Sequence, residues 1–159
     1  MTAIGEVDEA NSAIGLAIAG LDEDHELVAV RLRRIQNEMF DLGADLATPE
    51  GIADALRITE GQVEALEKAI DVMNAELSPL TSFILPGGSD AVARLHFARA
   101  VVRRAERAAV ALNDDQRINP HAIAYLNRLS DHLFVCARTV ALDGDGGDVL
   151  WQPGATRGA

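Results

Sequence analysis

The sequence lacks the features that place a protein in a membrane or outside the cell. None of its apolar runs approaches the roughly 20 residues that a membrane-spanning helix needs, and the chain does not open with a basic segment followed by an apolar one. Its single cysteine, Cys136, cannot form an intramolecular disulfide and cannot by itself build a zinc or iron–sulfur site. With 159 residues, the chain is expected to be one soluble, cytoplasmic domain over residues 1–159.

Positive charge is also scarce. Lys and Arg number 14 against 25 Asp and Glu, which gives a formal net charge of -11. This charge repels nucleic acid and anionic lipid, so we expect neither nucleic acid nor a membrane as a partner. Any polyanion must therefore bind at a local basic patch.

Strand-like alternation and internal repeats are absent, whereas apolar residues recur at helical spacing. Thr59, Ser89 and Asn119 are expected N-caps, and Asn119 is followed by proline at the first helical position. Short connections favour antiparallel neighbours, so we predict an all-α, five-helix bundle with packing of the ferritin-like, four-helix-bundle type. The expected helices lie at about 7–21, 28–46, 59–77, 90–113 and 120–142, followed by an irregular tail over 143–159.

A local basic patch lies in residues 83–107, FILPGGSDAVARLHFARAVVRRAER. On a helix, Arg99, Arg103 and Glu106 share one face, and Arg107 lies about 80° from Arg99. With Arg104, four arginines accompany one local acid. Guanidinium groups bind phosphate oxygens bidentately, so this imbalance favours a phosphate-bearing ligand. The alternative is a solvated helix face held by ion pairs, and spacing alone leaves both interpretations open.

The last predicted helix has a second polar face, formed by Asn127, Asp131, Phe134 and Arg138. Polar residues beside a bundle core are more often structural hydrogen bonders than ligand contacts, so this face alone decides nothing. No histidine has glutamate three residues before it, which excludes a di-iron bundle site. The DGDGGD run at 143–148 lacks the spacing of an EF-hand or a P-loop and predicts a flexible turn.

Two apolar side chains, Phe83 and Ile84, precede a Pro-Gly-Gly turn on a predicted connection between helices. Covering them requires a partner: the core, another subunit or a large flat ligand. A plain helix connection is the other interpretation.

Six blocks of the sequence, in this order, resemble the PduO-type ATP:corrinoid adenosyltransferases: VDEANSAIG, RIQNEMFDLGADLATP, FILPGG, ARAVVRRAER, YLNRLSDHLFVCAR and DVLWQPG. They span nearly the whole chain. The resemblance implies a five-helix bundle that assembles as a homotrimer with active sites between subunits. It also implies transfer of the 5′-deoxyadenosyl group of ATP to the cobalt of cob(I)alamin, giving adenosylcobalamin and triphosphate, with Mg²⁺ as cofactor. Cobalt(I) is itself the nucleophile, so no catalytic Ser, Cys or His is required.

The same resemblance implies roles for individual residues. Arg103 and Phe83 would be catalytic, with Phe83 beneath the corrin ring, where it excludes the lower axial ligand and eases reduction of cob(II)alamin. Glu106 would contact Mg²⁺, and Arg99 would pair with Asp8 of the next subunit. The residues expected to bind ATP are Arg103, Arg104, Glu106, Arg107 and Asn127.

The family pattern is not matched everywhere. Members normally begin with a Thr-Gly-Asp-x-Gly-x-Thr segment and a lysine that wrap the triphosphate, whereas this chain begins MTAIGEVDEANS; Ala10 also stands where Leu is usual. Other interpretations therefore stand beside the enzyme: a truncated, inactive form, a noncatalytic trimeric bundle that binds corrinoid or nucleotide, and a helical interaction protein. The sequence leaves open the preferred corrinoid and the pathway served.

Overall fold

The computed structural model describes residues 1–144 and 146–158, and within them the protein is an α-helical bundle. A short 3-10 turn at Glu23–His25 precedes the second helix, and the described residues contain no β-strand, only an isolated bridge between Ile84 and Leu150. The predicted all-α, five-helix class is confirmed. The predicted turn at 143–148 and tail at 143–159 include residues 145 and 159, which lie outside the described residues. The helices are α1 (Thr2–Ile18), α2 (Glu26–Ala47), α3 (Glu60–Asn74), α4 (Asp90–Asp115) and α5 (Pro120–Gly144).

Helix starts follow the cap chemistry of the sequence. Thr59 and Gln62 form the expected capping box, in which the Thr59 backbone N–H donates to Gln62 Oε1 at 2.9 Å. Ser89 accepts a hydrogen bond from the Val92 N–H, and Asn119 Oδ1 accepts one from the His121 N–H at 3.0 Å. The three predicted N-caps are confirmed. The third helix ends earlier than predicted, at Asn74, because residues 75–77 continue as hydrogen-bonded turns.

The centre of the bundle is the pair α4 and α5, which pack on each other, with α1 against α4, α2 against α1 and α3 against α5. Tyr125 lies fully buried in this core, and its hydroxyl donates to Glu38 Oε2 at 2.7 Å. Burial, together with the Glu38 carboxylate, raises the pKa of Tyr125 well above its usual value, so the phenol stays protonated. Because α4 and α5 pack closely, the polar side chains along their margins are held by a rigid backbone.

One end of the bundle is closed by a buried carboxylate. Asp45, near the end of α2, accepts hydrogen bonds from Arg57 Nη1 at 2.7 Å, from the Ile58 backbone N–H at 2.8 Å and from Asn119 Nδ2 at 2.7 Å. Its side chain is only 1% exposed. The three donors satisfy the charge and join the α2–α3 connection to the start of α5.

The chain after α5 folds back along the connection between α3 and α4. The Leu85 N–H donates to the Val149 carbonyl at 2.9 Å, and the Trp151 N–H donates to the Phe83 carbonyl at 2.7 Å. Trp151 packs on Phe83 with ring centroids 6.0 Å apart. The fold-back required for covering Trp151 is observed, although its side chain remains 45% exposed. Among the described helices, none has the length and hydrophobicity to cross a membrane.

Candidate functional site

A polar cluster forms where the margins of α4 and α5 meet. Glu106 Oε2 accepts from Arg103 Nη1 at 2.5 Å, and Glu106 Oε1 accepts from Asn127 Nδ2 at 2.9 Å. Arg107 Nη1 donates to the Arg103 carbonyl at 3.3 Å. We call Arg103, Glu106, Arg107 and Asn127 the α4–α5 cluster. It contains four of the five residues predicted to bind ATP.

Arg128 joins this cluster from its edge, and sequence reasoning missed it. Its Nη1 donates to Asn127 Oδ1 at 2.9 Å, and its Nε donates to Glu67 Oε1 on α3 at 2.8 Å. The hydrogen bond to Glu67 raises the pKa of Arg128 above its usual value. Its place next to Asn127 in the YLNRLSD block could have indicated that Arg128 belongs to the site. Helical spacing could not reveal its partner Glu67, which lies on another helix.

Arg104, the fifth predicted ATP ligand, points away from the cluster. A step of one residue turns its side chain about 100° from that of Arg103. Its guanidinium pairs with Glu9 and Glu6 of α1, and these hydrogen bonds raise its pKa. The sequence did not predict that either acid pairs with Arg104. The structure therefore shows Arg104 joining α4 to α1, and its contact with ATP stays a prediction.

The charge balance of the site differs from the count made on α4 alone. Arg103 faces Glu106, and carboxylates from other elements neutralise Arg104 and Arg128. Arg107 is exposed and has no carboxylate within ion-pair distance among the residues the structure describes. Within the cluster, therefore, Arg103 is held by an ion pair, and Arg107 supplies positive charge that no carboxylate of the described residues neutralises.

Glu106 is the carboxylate of this cluster that a magnesium ion would meet. Within residues 1–144 and 146–158, no group of three or more His, Cys, Asp or Glu side chains is arranged to hold a metal. Mg²⁺ bound to phosphates needs only one or two protein carboxylates and keeps water for the remaining positions. The donor set therefore fits a metal brought in with a triphosphate and does not fit a dedicated protein-only metal site.

A cavity of about 460 Å³ lies beside the cluster, at the opening between α4, α5 and the α3–α4 connection. Phe83 stands at this cavity with 76% of its surface exposed. Arg99 also lines it, and Arg99 forms no ion pair within the described chain, whereas Asp8 is exposed on α1. The lining residues are Leu80, Ser82, Phe83, Ile84, His96, Arg99 and Phe134.

The predicted polar face of α5 divides between two tasks. Asn127 joins the α4–α5 cluster, and Asp131 accepts from Arg128 Nη1 at 3.2 Å. Phe134 lines the cavity. Arg138 is buried, with its Nε donating to Asp148 Oδ2 at 2.8 Å and its Nη2 to the Ser78 carbonyl at 2.7 Å. For Arg138 the structural interpretation is therefore the correct one.

The fold and the site together define a class of protein: a helical bundle that presents ordered arginines next to an open, aromatic-walled cavity. A family model described as cobalamin adenosyltransferase matches residues 1–140. The corrinoid adenosyltransferase of Mycobacterium tuberculosis (strain H37Rv) is 47% identical over 164 residues, covering 100% of this chain and 83% of the relative. That of Bacillus subtilis (strain 168) is 44% identical over 153 residues, covering 95% and 79%.

Solved structures agree with these sequence matches. A variant of the PduO-type ATP:corrinoid adenosyltransferase from Lactobacillus reuteri, complexed with cobalamin and ATP, matches with a TM-score of 0.89 and 35% identity. The match covers 95% of this chain and 82% of that chain. The protein belongs to the cobalamin adenosyltransferase family, which confirms the resemblance carried by the six sequence blocks.

Proposed function

We propose that the protein is an ATP:corrinoid adenosyltransferase, which transfers the 5′-deoxyadenosyl group of ATP to the cobalt of cob(I)alamin and releases triphosphate. The observation that carries this proposal is the joining of Arg103, Glu106 and Asn127 in one hydrogen-bonded cluster beside the cavity of Phe83. Membership of the cobalamin adenosyltransferase family supports this reaction, which needs a site for ATP next to a site for the corrinoid.

The α4–α5 cluster is proposed to bind the nucleotide and the departing triphosphate. Attack at the ribose C5′ leaves negative charge on the triphosphate, and Arg103 and Arg107 stabilise that charge as it develops. Glu106 and Asn127 hold Arg103 in place before ATP arrives, and Asn127 contacts the nucleotide. Glu106 would hold Mg²⁺, which, when bound, supplies further neutralisation of the phosphate oxygens.

The cavity beside Phe83 is proposed to receive the corrin ring. Phe83 and Phe134 present aromatic surface there, and Trp151 supports Phe83 through ring contact and a backbone hydrogen bond between their segments. Phe83 beneath the ring excludes a lower axial ligand to the cobalt. The ring and ATP then lie at successive turns along one face of α4, which brings the cobalt towards the C5′ carbon.

We also propose that the active sites lie between subunits of a homotrimer, with Asp8 of one subunit paired to Arg99 of the next. Support comes from the exposure of Asp8 and from the absence of any ion pair for Arg99 in the described part of a single chain. Asp8→Arg is expected to break the trimer, and Asp8→Arg combined with Arg99→Asp is expected to restore it, as measured by light scattering after gel filtration.

The reaction is tested by mixing the protein anaerobically with Mg·ATP and chemically reduced cobalamin and following the absorbance change that accompanies Co–C bond formation. The expected result is a rate well above the protein-free control, dependent on both ATP and Mg²⁺. Binding of both ligands by calorimetry without turnover would instead identify the noncatalytic bundle. If neither ligand raises the melting temperature, a helical interaction protein is the better interpretation.

A further inference from the structure

The cavity beside Phe83 is largely apolar, with a polar inner wall on one helix. His96 and Arg99 supply that wall from α4, three residues apart and therefore on the same side of the helix. The remaining wall comes mostly from the hydrophobic side chains of Leu80, Phe83 and Phe134. Apolar pockets with a few convergent polar groups are typical of sites that fix the orientation of a ligand.

Two nitrogen atoms of this inner wall lack partners. His96 Nδ1 and Arg99 Nε are both buried, and neither has a hydrogen-bond partner in residues 1–144 or 146–158. The His96 residue as a whole is only 4% exposed. Buried polar atoms nearly always have partners, because leaving them unpaired retains the full cost of desolvation. Two such atoms on neighbouring side chains indicate that polar groups of a ligand complete this wall.

The two atoms differ in hydrogen-bonding character. Arg99 Nε can only donate. Burial, with a smaller effect from the Arg99 charge, lowers the pKa of His96, so the imidazole is neutral and has one nitrogen with a free lone pair. With the ring proton on Nε2, the buried Nδ1 carries this lone pair and accepts. The wall then offers one donor and one acceptor.

A primary carboxamide matches this pair, because its oxygen accepts and its nitrogen donates. A carboxylate offers only acceptors, which would leave the lone pair of His96 facing another lone pair. The charge of Arg99 compensates for this only in part, because Asp8 of the next subunit already pairs with that guanidinium in the proposed trimer. We propose that His96 and Arg99 bind one peripheral carboxamide of the corrin ring and make the protein select amidated corrinoids over those with a free carboxylate at that position. This inference rests on the proposed function, which supplies a corrinoid as ligand.

The proposal is compatible with the interface role of Arg99. The Nε atom of Arg99 is buried and has no hydrogen-bond partner among the described residues. Its terminal nitrogens, Nη1 and Nη2, are not needed for the carboxamide and can pair with Asp8 of the next subunit. Both unpartnered atoms are covered in the free chain, so the ligand reaches them by displacing an aromatic side chain of the wall. Phe134, whose ring centroid lies 6.3 Å from that of His96, is one such side chain.

The test compares cobalamin with its monocarboxylic derivatives, in each of which one peripheral amide has been hydrolysed. Affinity is measured by visible spectroscopy of the Co(II) forms with Mg·ATP, and adenosylation of the Co(I) forms is measured separately. For wild-type protein, one derivative is expected to bind about tenfold more weakly than cobalamin, because a buried acceptor is left unpaired. In His96→Leu this ratio should fall below about threefold, and His96→Gln, which keeps an acceptor, should retain more of it.

The wild-type measurements decide the question even if a variant fails to fold. The subsite is refuted if no derivative binds more than about twofold more weakly than cobalamin, or if His96→Leu keeps the tenfold preference. Normal adenosylation of cobalamin without discrimination would remove the subsite and leave the proposed function standing. Absence of adenosylation with every corrinoid would contradict the proposed function. The affinities of the Co(II) forms would still show whether the subsite distinguishes the amide from the carboxylate.

Discussion

Replacing Arg103 with alanine should separate catalysis from stability. The Arg103 side chain is 47% exposed and its ion pair with Glu106 joins residues three apart on one helix, so its loss should cost about 0.5 kcal/mol of unfolding free energy. In a chain of this size that change lowers the Tm by about 2 °C at most. Losing a guanidinium from the developing charge on triphosphate should cost about 2–4 kcal/mol in the transition state, or about 30- to 1000-fold in kcat/KM.

The neighbouring Arg104 provides a matched comparison, since it has the same side chain on the same helix. Its guanidinium joins α4 to Glu6 and Glu9 of α1, so Arg104→Ala should lower the Tm more than Arg103→Ala does. Its effect on kcat/KM should be the smaller of the two, because its charge is directed to another helix.

Both variants are assayed anaerobically with reduced cobalamin while ATP is varied, and their Tm values are measured by differential scanning calorimetry without ligands. A loss below about threefold in Arg103→Ala would refute the assignment of that residue to the triphosphate. An equal loss of activity in Arg104→Ala at unchanged Tm would instead restore Arg104 to the ATP site and show that its ion pairs open when ATP binds.

Three further changes test other parts of the structure. Arg128→Gln releases the Asn127 amide from its hydrogen bond, so KM for ATP should rise about tenfold with kcat less affected, and an unchanged KM would contradict this. Asp45→Ala leaves buried donors unpaired and should cost about 3 kcal/mol in urea unfolding, whereas a cost below about 1 kcal/mol would show that the network relaxes. Burial, with a smaller effect of a nearby arginine, lowers the pKa of His132 from 6.5 to about 4. The unfolded chain therefore takes up that proton first as pH falls, and stability drops between pH 6.5 and 4 by at most about 1.4 kcal/mol per pH unit; His132→Gln should flatten that part of the profile relative to wild type.

The helices could be predicted because their signals are local. Three helices begin with caps whose contacts span only a few residues, so their starts can be read from the sequence. These caps are Thr59 with Gln62, Ser89, and Asn119 before proline. Apolar spacing then identifies the face that each helix buries. The end of α3 was misplaced because Leu77 continues the apolar spacing although the backbone has already left the helix, and periodicity does not record that change.

The candidate site could be predicted only where its members share a helix or a family motif. Arg103, Glu106 and Arg107 lie within five residues on α4, and their geometry follows from helical rotation. The partners of Arg104 on α1, and of Arg128 on α3, depend on which helices become neighbours. Spacing within one helix contains no such information. The predicted excess of positive charge is therefore reduced, because Glu6 and Glu9 neutralise Arg104, whereas Arg99 and Arg107 keep no carboxylate among the described residues.

Under the proposed assignment of the α4–α5 cluster to the triphosphate of ATP, the pairing of Arg103 with Glu106 has a functional consequence. Free, flexible arginines would lose side-chain entropy when triphosphate arrives, whereas Arg103 is already fixed by Glu106, and Glu106 is fixed by Asn127. Much of the side-chain entropy of Arg103 is therefore already lost on folding, before ATP binds. The triphosphate, with several negative charges against the single charge of Glu106, can compete for the guanidinium without the cluster being rebuilt. Because Arg128 holds the same amide from the side of α3, the geometry offered to ATP depends on the packing of three helices and not on the RRAER segment alone.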